Sequence, residues 1–206
     1  MSPSAWLYVA LVPLCGVSGL AALSQRDPAR VRRWGNWAGA ACLVLCGAAW
    51  TARWVEAGHL PLFGTYESAL SLALFVLVTA ALIRRAGPLL PGACLISAAI
   101  LAHGLAYEST AYALTISERS LVVDVHAVLA WAAFGMLAAN ALLGALELVG
   151  PQRGLPGGGP WLPRSLHWGF VLHTAMIASG SVYKFMLFGR AWSFDPEETL
   201  ALVAWA

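Results

Sequence analysis

The chain has 206 residues, 60% of them hydrophobic and 11% charged, with a formal net charge of +2 and a mean hydropathy of +0.72. A soluble domain carries roughly 25% charged residues, so a water-soluble globular core is excluded. So small a positive balance also argues against nucleic acid as a partner.

Apolar runs of about 20 residues place the chain in a bilayer. Ten tryptophans fit that reading, because Trp collects at the headgroup level. The first run, residues 6–23, has its arginines after it rather than before it, so it reads as a retained helix and not as a cleaved signal. Cys15, Cys42, Cys46 and Cys94 all fall inside apolar segments. Cys42 and Cys46 share a helix face at i, i+4 and would meet a ligand together, although small buried cysteines are the simpler reading. There is no CxxCH, so the chain is not itself a c-type cytochrome.

Six spans are expected, at about residues 5–24, 37–56, 66–83, 88–107, 121–148 and 166–188, each near the roughly 20 residues that cross the hydrocarbon as a helix. The fold class is therefore all-α, a polytopic transmembrane helix bundle. It forms a single domain over 1–206, in which 1–57 supplies two N-terminal spans. The apolar run 200–206 is either interfacial or a partial seventh span. Arg26, Arg30, Arg32, Arg33, Arg84, Arg85, Arg153 and Arg164 fall on one side, against Arg53, Arg119, Lys184 and Arg190 on the other. The positive-inside rule then sets the N-terminus outside. The Gly/Pro-rich stretch 151–163 is expected to be a flexible cytoplasmic linker. It lacks the Lys-Ser/Thr and the preceding strand of a phosphate-binding loop.

Three features fall on the expected outer face. In the turn 58–68, Pro61 and Gly64 break the helix, Thr65 is placed to cap the next one, and Glu67 suits its N-terminal dipole. His59 in the same turn reads as an interfacial polar residue. His126 stands in the first turn of span five, an ionisable group at membrane depth, where such groups are rare and functional. Imidazole is also a common axial ligand of haem iron. Asp124, two residues earlier, points to another face and is no orienting partner. In the stretch 189–199, Trp192 and Phe194 offer flat apolar faces. Asp195 and Pro196 open a new helix, with Glu197 and Glu198 in its first turn. One reading is an interfacial aromatic belt followed by a capped helix. The other is a platform for a planar porphyrin beside His126, with Arg190 or Lys184 meeting its propionates. The residues alone leave both open.

The segment Pro61-Leu62-Phe63-Gly64-Thr65-Tyr66-Glu67-Ser68 resembles the PLSNLYES-type segment of the CcsA/ResC family, the haem-handling membrane proteins of cytochrome c biogenesis system II. Val125-His126-Ala127, with Trp131 to Gly135 after it, resembles the family helix that carries an external haem-ligand histidine. Phe188-Gly189-Arg190-Ala191-Trp192-Ser193-Phe194-Asp195-Pro196-Glu197-Glu198-Thr199 resembles the family's WGxxWSWDPKET signature, the WWD domain. The three occur in the family's order, and 58–206 is the CcsA-like region with its external loop at 188–199.

The resemblance implies a b-type haem, bound or in transit, held on the external face of a bacterial cytoplasmic membrane for attachment to apocytochrome c. His126 would be its axial ligand. Trp192 and Asp195 are signature positions kept unchanged, while Phe188 and Phe194 stand where the family has Trp, and Glu197 where it has Lys. Tyr66, Glu67, Phe188, Arg190 and Phe194 complete the expected site, with His103 near the outer end of span four. The family has two further histidines after the signature, and this sequence reaches Ala206 before either. His103, His173 and His167 are candidates for a second axial ligand, although a packed or interfacial histidine is the simpler reading of each, and a partner such as a CcsB/ResB-like membrane protein is the other source. No residue has the partners of a general acid, base or nucleophile. Any enzymatic role would be as a component of a cytochrome c haem lyase. A second function class stays open, a structural or assembly subunit that keeps the fold without haem ligation. A solute transporter is disfavoured, because paired intramembrane charges and a twofold pattern of broken helices are lacking.

Overall fold

In a computed structural model of the chain, the described residues are 2–83, 89–107, 110–115, 117–153, 155 and 157–206. They form α1 (Pro3–Leu23), α2 (Pro28–Ala57), α3 (Thr65–Leu82), α4 (Leu89–Gly104), α5 (Leu121–Val149), α6 (Trp161–Phe188) and α7 (Pro196–Trp205). A 3-10 turn at Pro151–Arg153 follows α5, and the described residues contain no strand. Helices α1, α2, α3, α5 and α6 are long and apolar enough to cross a membrane. Helix α4 is apolar but has 16 residues, a rise of about 24 Å. The chain is a polytopic helical bundle, as its composition requires.

Local chemistry sets the helix ends. Asp27 accepts from Ala29 N at 2.9 Å ahead of Pro28, the favoured cap-and-proline start. Helix α2 therefore begins before the expected residue 37, and Arg30, Arg32 and Arg33 ride on its first turns instead of lying in a loop. At α3 the N-cap is Gly64, with φ +77° and no side-chain cap bond, so Thr65 is the first helical residue and not the cap. Two described residues of the stretch 151–163 are bonded to the end of α5. Leu155 N donates to Gly150 O at 2.9 Å and Gly158 N to Glu147 Oε2 at 2.7 Å.

Helix α1 packs on α2 and α4, α3 on α4 and α5, and α6 chiefly on α5. Close approach is achieved by small residues, as in other membrane bundles. A Cβ on Gly35 would stand 2.4 Å from Pro91 Cγ, and one on Gly104 would stand 2.0 Å from Tyr8 Oη and 2.8 Å from Ala69 Cβ. Helix α7 turns back along α6, where Ala201 O lies 3.0 Å from His173 Nε2 and Trp205 Nε1 donates to Thr174 Oγ1 at 2.9 Å.

Cross-links show which turns share an end of the bundle. Ser4 N donates to Glu56 Oε1 at 3.0 Å, and His59 Nε2 lies 2.8 Å from Tyr112 O. Helices α5 and α6 are antiparallel, with Asn140 Nδ2 donating to Leu162 O at 2.7 Å and His126 near Met176. The start of α1, the turns 58–64 and 189–195, and the described residues 105–107, 110–115 and 117–120 therefore gather at one end.

The packing predicts opposite outcomes at two glycines. Gly104→Ala is expected to lower unfolding stability in detergent by about 1–3 kcal/mol through overpacking. Gly47, where an added Cβ meets nothing within 4 Å, is expected to accept Ala neutrally or with a gain of up to about 1 kcal/mol. Thermal melts followed by circular dichroism separate the two.

Candidate functional site

His126 lies at the seam between α5 and α6. Its Nδ1 is 2.9 Å from Met176 O and 3.2 Å from Ser179 Oγ. A backbone carbonyl only accepts, so Nδ1 carries the proton and donates, and Nε2 keeps a bare lone pair. This is the arrangement in which protein imidazoles bind metal, with one nitrogen fixed by a carbonyl and the other free to ligate. Gly180 makes room for the ring, since a Cβ there would stand 2.8 Å from His126 Cε1.

Lys184 is one helical turn beyond Gly180 on the same face of α6. Its ammonium donates to Ser193 Oγ, Asp195 Oδ2 and Glu198 Oε1. Asp195 also caps α7 by accepting from Glu198 N at 2.9 Å, and Glu198 Oε2 accepts from Ser193 N at 2.8 Å. The loop is thus tied to α6 about one turn, near 5–6 Å, above the level of the His126 ring. These three contacts engage the Lys184 ammonium within the loop. Arg190 is exposed and has no acidic partner among the described residues. Trp192 and Phe194 meet edge to face at 6.4 Å. Phe194 is 78% exposed and holds φ +58°, a backbone setting that costs a bulky residue on the order of 1 kcal/mol or more. Trp192 Nε1 is buried without an acceptor, and Phe188 lies exposed at the end of α6.

Tyr66 and Glu67 sit elsewhere, inside the junction of α1, α2 and α3. Glu67, 1% exposed, takes Arg53 Nε on Oε1 at 3.0 Å and Tyr112 N at 3.2 Å. Arg53, 2% exposed, also donates from NH2 to Thr110 O at 2.8 Å. Its guanidinium lies 5.2 Å from the Tyr66 ring centre, and Tyr66 stacks on Tyr8 at 4.2 Å. Glu67 therefore serves an ion pair and not merely a helix dipole. Arg53, Tyr112 and the Lys184 knot escaped the sequence reading. The available signal was an arginine and an acid facing each other across the turn between two apolar spans.

His103 is exposed and meets Tyr107 edge on at 5.2 Å. His173 is 3% exposed, gives its Nε2 proton to Ala201 O and leaves Nδ1 buried without a partner. The four cysteines are buried and free of disulfides. Among the described residues no group of three His, Cys, Asp or Glu side chains is placed to hold a metal ion.

No family model matches the chain. It is similar to a cytochrome c biogenesis protein CcsA of Parasynechococcus marenigrum (strain WH8102), with 28% identity over 199 residues, covering 74% of this chain and 64% of the relative. It is also similar to the CcsA of Cycas taitungensis, with 44% identity over 45 residues, covering 22% of this chain and 14% of that protein. The chain thus spans a little under two thirds of the first relative's length and a small part of the second's.

The Lys184 knot makes the loop sensitive to acid. The hydrogen bond from Lys184, with the Glu198 amide behind it, holds the Asp195 carboxyl below its ordinary range. Burial pushes Glu198 up, but Lys184 and the Ser193 amide outweigh it and its carboxyl is also held low. Both carboxyls are depressed, so their contribution is present above about pH 4 and is lost as the pH falls through the depressed values. Limited proteolysis at 190–195 is expected to stay slow at neutral pH and to accelerate below that range. Lys184→Met is expected to be cleaved quickly at every pH.

Proposed function

We propose that the chain holds haem as cargo at the end of the bundle that carries its N-terminus, for transfer to apocytochrome c. The observation that carries this reading is His126. Its imidazole is fixed in the ligating tautomer by the Met176 carbonyl, one turn from an aromatic loop that is itself tied down by Lys184. The likeness to two CcsA proteins supports the same reading.

The residues fit such a cargo in three respects. Nε2 of His126 is available as an axial nitrogen. Arg190, exposed and without an acidic partner among the described residues, suits a propionate. Phe194, with Trp192 beside it, presents an open aromatic face, and Trp192 Nε1 is a buried donor without an acceptor. Exposed Glu197 works against a propionate near it. The bond chemistry belongs to the haem, and the chain binds and orients.

The remaining axial ligand, in this reading, comes from a CcsB/ResB-like membrane protein. The end that gathers the N-terminus and the aromatic loop faces outward from a bacterial cytoplasmic membrane. Tyr66, Glu67 and His103 lie outside the immediate surroundings of His126 and in this reading shape the neighbouring loop. The whole chain works as one membrane domain, 1–206, with its CcsA-like part at 58–206.

A second reading, a structural or assembly subunit without haem, is favoured by the surface of the last two helices. Helix α7 buries none of its residues, and α6 is mostly exposed beyond its α5 face. Such a surface suits another subunit as well as lipid.

The absorption spectrum of the protein extracted from membranes tests both. A b-type haem spectrum is expected, and His126→Ala is expected to abolish it. Gly180→Leu, which displaces the imidazole, is expected to weaken it. An unchanged spectrum in His126→Ala would overturn the ligand assignment. Haem-free protein in fixed stoichiometry with other subunits would select the second reading.

A further inference from the structure

We propose that the end of the bundle around Glu67 binds a phospholipid with an ammonium headgroup, a site separate from the His126 seam. A cavity of about 440 Å³ opens there, walled by Phe63, Tyr66, Tyr107 and Tyr112, with Glu67 in its lining. Glu67 Oε1 is engaged by Arg53 and Tyr112, whereas Oε2 is buried with no partner. A buried carboxylate oxygen left without a donor is costly and rare, and a cation in the adjoining cavity would offset that cost through the charge of the carboxylate. Among the described residues, the charges facing each other at this junction do not cancel. Arg53 supplies one positive charge, while Glu56, 3.8 Å from its NH1, and Glu67 supply two negative ones. An excess negative charge beside the rings of Phe63, Tyr107 and Tyr112 suits an ammonium group, which aromatic faces and carboxylates recognise together, while Tyr66 is already engaged by Arg53 and Tyr8.

Thr65 belongs to this cavity and also to a second of about 440 Å³ that runs along α3, α4 and α5. The second cavity is lined by Ser68, Leu72, Ile100, His103 and Trp131 and is predominantly apolar. A cationic head and an apolar chain in one molecule are the parts of a phosphatidylethanolamine-type lipid. A free amine or a lysine side chain fills only the first cavity.

The test uses the full chain, purified in mild detergent and offered equimolar phosphatidylethanolamine and phosphatidylglycerol in mixed micelles, with bound lipid counted by native mass spectrometry. Phosphatidylethanolamine is expected to be retained over phosphatidylglycerol by roughly tenfold, the scale of a desolvated cation–π cage. Glu67→Gln is expected to erase the preference. Because that variant touches a buried ion pair, Tyr107→Ala provides a second reading at the rim of the cage, since Tyr107 is 46% exposed. Leu72→Trp, which fills the groove, is expected to lower retention of both lipids. Equal retention of the two lipids would overturn the proposal, as would a preference unchanged in Tyr107→Ala. Displacement of the lipid by soluble ethanolamine at the same concentration would also overturn it and assign the cavity to a free amine. The haem spectrum of the same samples reports on His126 independently.

Discussion

The buried contact between Arg53 and Glu67 is the constraint on which one half of the bundle depends. Two opposite charges lie almost wholly out of solvent, at 3% and 1% side-chain exposure and 3.0 Å apart, in a chain otherwise built of apolar packing. Such a pair adds little stability of its own, but removing one partner strands the other, at about 3–5 kcal/mol. The consequence is geometric. Glu67 belongs to α3 and Arg53 to α2, and both also hold the backbone at Thr110 and Tyr112. The turn after α2, the start of α3 and the loop before α5 thus become one unit, and α1 joins through the Tyr8–Tyr66 stack.

The other half obeys a different economy. Helix α6 is fastened to α5 by polar contacts near its start, Asn140 with Leu162 and Ser165, and near its middle, His126 with Met176. Between them Gly169 packs on Leu137. In a bilayer there is no hydrophobic drive to press two apolar helices together, so small residues and hydrogen bonds do that work. The same reasoning explains why the loop after α6 needs an ion knot. An apolar loop would not stay folded on its own, whereas Lys184 gathers Ser193, Asp195 and Glu198 into one position.

The number and order of the helices were legible in the sequence because long apolar runs have little choice but to form helices. Asp195 as a cap was legible too, because an Asp-Pro pair ahead of acidic residues is a local signal. What stayed hidden were contacts between segments distant in sequence. Arg53 entered only the count of basic residues on the outer side, and Glu67 was read as a dipole partner, since neither position reveals that the two side chains turn inward and meet. Lys184 was read as free because its three oxygen partners lie on the far side of a turn. His126 was recognised as unusual from its depth alone, but its orienting group is a backbone carbonyl 50 residues away, and carbonyls leave no mark in a sequence.

Helix α2 carries a last consequence. Its 30 residues rise about 45 Å, against some 30 Å of hydrocarbon. From Arg30 to Arg53 the distance along the axis is roughly 35 Å. One of these cations stands exposed at the start of the helix and the other is locked into the bundle near its end. Helix α2 therefore acts as a ruler for the vertical register of the whole protein. A thicker or thinner bilayer has to deform around it, because sliding the bundle would carry either the exposed arginines or the Arg53–Glu67 pair into the hydrocarbon.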